Sequence, residues 1–267
     1  MANGYFIKDG GVIAVDSGCE LGREYFLEVC AGAGVDPQDI RLLVVTHGHV
    51  DHFVNMDEMR AVTGAPLLCH KNAERTLREA LHPNVRPRSR YGQYMMSELP
   101  PDEGPLGLLR PMVPDLVVEG TVDLRPWGVE GRLVETPGHS DGCLSVILDS
   151  GEALVGDLLV EDVRDGSPSL AFLCYTDDID AANAQLFASA EYLAENAGTF
   201  YSGHGGPFSR DDLLAALAAA RAEAAERATA PAEAAEAAPG NAGAEGAVAP
   251  AGDAGAARAG ATAEDAG

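Results

Sequence analysis

The chain alternates two periodicities. The run "IRLLVV" at residues 40–45 is short, almost uniformly apolar and rich in β-branched side chains. Such a run predicts a short buried strand. Upstream, "YFIKDGGVIAVDSG" reads as a hairpin turning at Asp-Gly-Gly. Helical spacing of apolar positions follows at residues 22–32 and 55–63, and more clearly in "NAERTLREAL". Residues 82–115 are proline-rich and carry little periodicity, which predicts a lid, a binding loop or a disordered segment, and the segment is expected to set substrate choice. Strand-like runs resume at "LVVEGTVDL", "GRLVETPG", "CLSVILDSG" and "EALVGD". A helix is expected at about 178–196, a strand near "GTFYSGHGG", and a last helix capped by Ser209 with Asp212. Strands and helices interleaved in this way predict an α/β domain over residues 1–228.

Composition changes sharply near residue 229. From there to Gly267 the chain is mostly Ala, Gly, Pro and Glu, with no aromatic residue and a single Val. Such a segment buries too little apolar surface to offset its ordering entropy, so residues 229–267 read as a disordered acidic tail. A continuing Ala-rich helix is disfavoured because Pro231, Pro239 and several glycines interrupt it.

Charge narrows the set of partners. With 18 Lys+Arg against 42 Asp+Glu the formal net charge is −24, which repels phosphate backbones and argues against nucleic acid. Cys19, Cys30, Cys69, Cys143 and Cys174 are scattered without a CxxC pair and read as reduced thiols. The start lacks the basic and apolar regions of a signal peptide, and no apolar run reaches the ~20 residues of a membrane span. A cytoplasmic protein acting on a small molecule is expected, with its oligomeric state, a dimer included, left open.

"THGHVDH" concentrates candidate chemistry just after the "IRLLVV" strand. His47, His49, Asp51 and His52 fall within six positions of a chain that has only seven histidines. His and Asp suit zinc or a similar borderline divalent metal, and a loop leaving a rigid strand lets side chains converge. In an extended stretch His47, His49 and Asp51 would lean to one side and His52 to the other, which suggests two neighbouring metals. Further ligands are offered by His139 in "ETPGHSDG", Asp157 in "LVGD" and His204 in "YSGHGG", each after a strand-like run and beside a glycine.

The order HxHxDH, GH, GD and GHG resembles the metallo-β-lactamase superfamily over roughly residues 4–215. The resemblance implies a four-layer αβ/βα sandwich with a dinuclear site at one edge. It implies that His47, His49 and His139 hold the first metal, that Asp51, His52 and His204 hold the second, and that Asp157 bridges both. Asp16 in "VIAVDSG" matches a supporting aspartate near the site. Two divalent ions, most simply Zn2+ with Mn2+ or Fe2+ as alternatives, would share a bridging hydroxide for hydrolysis, with Asp51 and Asp157 as the catalytic carboxylates. The expected substrate is a small ester, thioester, lactone or phosphodiester. True β-lactamases generally lack the bridging Asp, RNA-processing members need basic surfaces, and flavodiiron members carry Glu where His49 stands. Val54 and the lack of basic glutathione-contacting segments depart from glyoxalase II. Two other classes remain: a mononuclear iron sulfur dioxygenase oxidising persulfides, and a non-catalytic metal-binding interaction protein.

Several further residues have plainer readings. His70 is expected to be structural, His82 exposed, and Cys143 a thiol of the strand core. Tyr91, Tyr94, Met95 and Met96 line either a substrate pocket or a packed lid. Tyr175, before an acidic helix start, is a minor candidate to reach the site.

Overall fold

A computed structural model describes residues 2–18, 20–81, 85–98 and 110–229. The proposed tail beyond Thr229, His82 and the middle of the proline-rich segment lie outside the described residues.

The hairpin forms as its pattern predicts: β1 (Tyr5–Lys8) pairs antiparallel with β2 (Val12–Val15). α1 (Arg23–Ala33) follows, ended by Gly34 in the left-handed region at φ 61°. β3 (Ile40–Val44) lies parallel to β2 and is the "IRLLVV" strand. A single helical turn, α2 (Val50–Phe53), leads into α3 (Met56–Thr63). β4 (Leu67–His70) and α4 (Lys71–Glu79) come next.

The proline-rich segment is more ordered than its pattern suggests. It contains the two-residue β5 (Arg86–Pro87) and a full helix, α5 (Arg90–Glu98). Ser89 starts that helix by accepting the Gly92 N–H at 3.0 Å. Gly92 is a poor helix former, which hid the element, but a Cβ there would collide with the Phe172 carbonyl.

β6 (Leu116–Val118) completes the first sheet, in the order β1-β2-β3-β4-β6. The chain then crosses to a second sheet through β7 (Val122–Asp123), β8 (Gly131–Glu135), β9 (Leu144–Leu148) and β10 (Glu152–Leu154). "LVVEGTVDL" is therefore two strands in two sheets. A small hairpin, β11 (Leu159–Glu161) with β12 (Pro168–Leu170), and the short β13 (Leu173–Cys174) precede α6 (Ile179–Asn196). β14 (Thr199–Tyr201) and β15 (Phe208–Ser209) close the second sheet as β15-β14-β10-β9-β8-β7, and α7 (Arg210–Thr229) ends the described chain. Ser209 and Asp212 cap α7 reciprocally: the Ser209 N–H donates to Asp212 Oδ2 at 2.8 Å and the Asp212 N–H to Ser209 Oγ at 3.2 Å.

The four-layer α/β sandwich follows from strand alternation. Ile13, Val15, Leu42, Val44 and Leu68 point toward the second sheet and meet Leu133, Leu144, Val146 and Leu154. Their neighbours Ala14, Leu43, Val45 and Cys69 face the other way and pack under Phe26, Met56, Met59 and Leu77 of the outer helices. On the far side Val134, Ile147, Ala153 and Val155 meet Leu186, Leu193, Leu213 and Leu217 of α6 and α7. Both faces of each sheet are covered, which is why the strands read as continuous apolar runs.

Candidate metal centre

Strand direction brings the site together. β2, β3 and β4 run parallel, and β8, β10 and β14 run in one direction in the second sheet. Their carboxyl ends deliver Asp16 after β2, residues 46–52 after β3, His139 after β8, Asp157 after β10 and His204 after β14. The Leu144 N–H donates to the Thr46 carbonyl at 2.8 Å and ties the two sheet edges together at this point.

All seven sequence-identified donors converge, in two groups. His47, His49, His139 and Asp157 form one, and Asp51, His52 and His204 the other, with donor atoms within 4.8 Å of one another inside each group. His49 Nδ1 lies 3.2 Å from His47 Nε2 and 3.1 Å from His139 Nε2. A tetrahedron with arms of about 2.0–2.1 Å has edges of about 3.3 Å, so the trio is spaced as ligands of one small cation. Asp157 lies between the groups. Its Oδ2 is 3.7 Å from His47, 3.9 Å from His49, 3.8 Å from His139 and 3.4 Å from His204, while its Oδ1 is 3.2 Å from His52. Asp51 Oδ2 is 3.2 Å from His204 Nε2.

The extended geometry expected for residues 47–52 stops at His49. That residue is the N-cap of α2 with extended angles, and Asp51 and His52 sit on the helical turn. A helical turn rotates successive side chains by about 100° rather than 180°. Asp51 therefore does not share a side with His47 and His49; it turns toward His52 and His204.

Outer hydrogen bonds fix the imidazoles. His139 Nδ1 faces the Leu173 carbonyl at 3.0 Å, so that nitrogen carries the proton. His52 Nδ1 donates to Asp16 Oδ2 at 2.8 Å. Thr46 Oγ1 donates to Asp16 Oδ2 at 2.7 Å and accepts from His47 Nδ1 at 3.0 Å. Asp16 thus orients His52 directly and His47 through Thr46, and it also accepts the Thr46 N–H at 2.8 Å. Thr46 is the functional residue the sequence reading passed over; its only signal was its place directly before the histidine motif.

These bonds leave the Nε2 lone pairs of His47, His52 and His139 aimed inward. His52 Nε2 and Asp157 Oδ1 are buried and face each other at 3.2 Å, with no other hydrogen-bond partner among the described residues. Buried polar atoms are rarely left so, and lone pairs facing one another call for a cation. The donor set therefore fits a divalent metal. Without a cation the two groups differ: the first is held neutral, and the second holds protons where a cation would sit. Burial depresses the pKa of His139 to about 3, with His49 adding to the effect, and also depresses His47. Burial also opposes charge on His52, but Asp157 and Asp16 outweigh it and hold its pKa well above the ordinary value. His204 is likewise raised, to about 10, as Asp157 overcomes burial.

Close approach requires glycine at one point. A Cβ on Gly203 would land on Asp157 Oδ1 and the His52 ring. Tyr175 reaches the site after all: its ring centroid is 4.8 Å from that of His49 and 5.4 Å from that of His139. His70 stays outside, bonded to Glu135 at 2.8 Å. Cys143 is buried beside Ser140, with burial raising its thiol to about 12. Tyr91 packs on Phe172 at 4.6 Å and its hydroxyl accepts the Val163 N–H at 3.1 Å, in a packed arrangement.

The sequence profile of the metallo-beta-lactamase superfamily matches residues 1–204. A metallo-beta-lactamase family protein from Thermus thermophilus superimposes with a TM-score of 0.58 at 24% identity, covering 85% of this chain and 75% of that one. The metallo-beta-lactamase MIM-1 from Novosphingobium pentaromativorans gives 0.56 at 20% identity, over 86% and 84% of the two chains. A neighbour solved in a di-iron-bound form gives 0.53 at 19% identity, over 80% and 92%. At these identities the likeness is one of fold. The Homo sapiens metallo-beta-lactamase domain-containing protein 1 is 50% identical over 46 residues, which is 17% of this chain and 17% of the human protein.

Proposed function

The chain belongs to the metallo-beta-lactamase superfamily, and from that premise we propose that it is a metal-dependent hydrolase with a dinuclear centre. The observation that carries the reading is the pair of donor groups flanking one carboxylate, with their lone pairs turned inward. In this reading His47, His49 and His139 hold one divalent ion, Asp51, His52 and His204 hold a second, and Asp157 lies between them. When bound, the ions supply an activated water near neutral pH and positive charge for the oxygen of the scissile group. Zinc suits the nitrogen-rich donors, and manganese or iron are the alternatives.

The protein's own contribution is orientation. Asp16 and Thr46 hold two imidazoles in the tautomer that presents Nε2, and the Leu173 carbonyl does so for His139. Asp51, partly exposed beside His204, is placed to orient the attacking water. The substrate in this reading is a small ester, thioester, lactone or phosphodiester, because the chain's acidity disfavours polyanions.

The test joins metal content to turnover. Protein purified without chelator is expected to carry two divalent ions per chain and to hydrolyse at least one member of an ester, thioester, lactone and phosphodiester panel. His139→Ala and Asp157→Asn are expected to lower turnover at least a hundredfold, while His70→Ala keeps full metal content. A single iron with persulfide oxidation would replace the hydrolase reading, and parental turnover in His139→Ala would end the dinuclear one.

A further inference from the structure

A cavity of about 310 Å3 opens beside the turn that carries Asp16, and none of the seven metal donors lines it. Its walls come from the chain entering β1, the turn after β2, the first half of α1, and Asn55 with Met59 from α3 and its start. These walls are fixed in advance. The Asn3 N–H donates to the Gly203 carbonyl at 2.7 Å, and the Tyr5 hydroxyl donates to the Ser202 carbonyl at 2.6 Å. The Ser17 N–H donates to the His52 carbonyl at 2.8 Å. Each bond runs to a segment that carries a metal donor, so the backbone that holds the centre also holds this cavity open. Preformed cavities of this size are the usual form of a small-molecule site.

Shape and charge select the occupant. Tyr5, Phe6, Tyr25 and Phe26 all line the cavity. The Phe6 and Phe26 rings lie 6.4 Å apart at 53° between planes, so they make a corner rather than a flat wall. Val29 and Met59 add alkyl and thioether surface. Charge on the lining is of one sign: Asp16 and Glu20 contribute it, and no Lys, Arg or His lines the cavity among the described residues. Asp16 turns its oxygens to Thr46 and His52. Glu20 is exposed and makes no ion pair or hydrogen bond among the described residues, so its carboxylate is free to meet a ligand. Aromatic rings attract cations, and the attraction grows where the cation sheds water. An anion would be repelled here. A hydrated inorganic ion would gain little from walls of this kind, whereas alkyl groups on a cation would pack against them.

We propose that this cavity binds a small organic ammonium ion, its alkyl groups against the aromatic side chains and its charge toward Glu20. The site is separate from the metal centre and does not depend on the hydrolase reading.

Calorimetric titration of full-length protein, purified without chelator, tests this with two ligands of one shape. Choline carries the charge, and 3,3-dimethylbutan-1-ol is its neutral counterpart. Choline is expected to bind at least about fivefold more tightly. Tyr25→Leu keeps an apolar side chain at a position already 37% exposed and removes the ring. It is expected to weaken choline about fivefold, and Glu20→Gln about threefold, with Tm and metal content unchanged in both. Choline affinity is expected to survive stripping of the metal. Absence of choline binding, equal affinity for the neutral alcohol, or parental choline affinity in either variant overturns the proposal. An affinity that disappears on stripping also overturns it, by placing the ion at the metal centre.

Discussion

One carboxylate outside the donor set controls much of the centre. Asp16 sits at φ 57°, a conformation uncommon for a residue with a side chain, and it is buried. Its oxygens take the Thr46 N–H, the Thr46 hydroxyl and the His52 Nδ1 proton. Asp16→Asn keeps the shape but offers one acceptor oxygen in place of two. The amide nitrogen must then face a donor, so the His52 ring loses its fixed tautomer. Metal affinity is expected to fall about 10–100-fold, as for other lost supports of metal-bound histidine. Competition with a chromogenic chelator measures it, and an unchanged affinity would show that Thr46 and the β2 turn hold the site without the carboxylate.

At the scale of elements, His70 is a joint. Its Nδ1 accepts the Asn72 N–H at 3.2 Å and caps α4, while its Nε2 donates to Glu135 Oε1 at the end of β8. Glu135 also accepts the Gly120 N–H at 2.7 Å, so one carboxylate links the two sheets where the chain crosses between them. The Gly120 bond, and then His70, hold the Glu135 pKa below its ordinary 4.5. A depressed carboxyl pKa stabilises the fold above the unfolded value and loses that stabilisation as pH falls through the folded one. Glu135 is 38% exposed, so screening keeps the contribution near ~0.5 kcal/mol. Glu135→Gln should therefore be slightly less stable than the parent at pH 7 and indistinguishable from it near pH 3, by urea melts at both values. A gap that persists in acid would assign the effect to packing rather than charge.

Whole-molecule stability is coupled to the centre. Any ion that binds the folded chain and not the unfolded one stabilises by mass action, by about 2.7 kcal/mol at a hundredfold excess over Kd. Stripping with a chelator is expected to lower Tm by several degrees and leave a folded chain, because the three apolar clusters do not include the site side chains. Returning zinc should restore Tm. Collapse to an unfolded chain on stripping would show that metal is needed for folding itself. Removal of residues 230–267 is expected to leave Tm and metal content unchanged, since that sequence offers little beyond Ala and Val248 to bury. Among the described residues no helix is long and apolar enough to cross a membrane.

The local signals legible in the chain were those set by near neighbours. "IRLLVV" and "VIAV" are apolar at consecutive positions because sheets cover both their faces, and Ser209 with Asp212 spells a cap within four residues. The ligand types were legible for the same reason, since HxHxDH is compact in sequence. Convergence was not local. His139 and Asp157 meet His47, and His204 meets His52, only because parallel strand ends share one edge, a property of topology. α5 stayed hidden because Gly92 answers to a carbonyl 80 residues away in sequence, at Phe172. The turn that sends Asp51 to His204, the support that Thr46 gives His47, and the approach of Tyr175 to His49 were likewise decided by packing between distant segments, which periodicity along the chain does not encode.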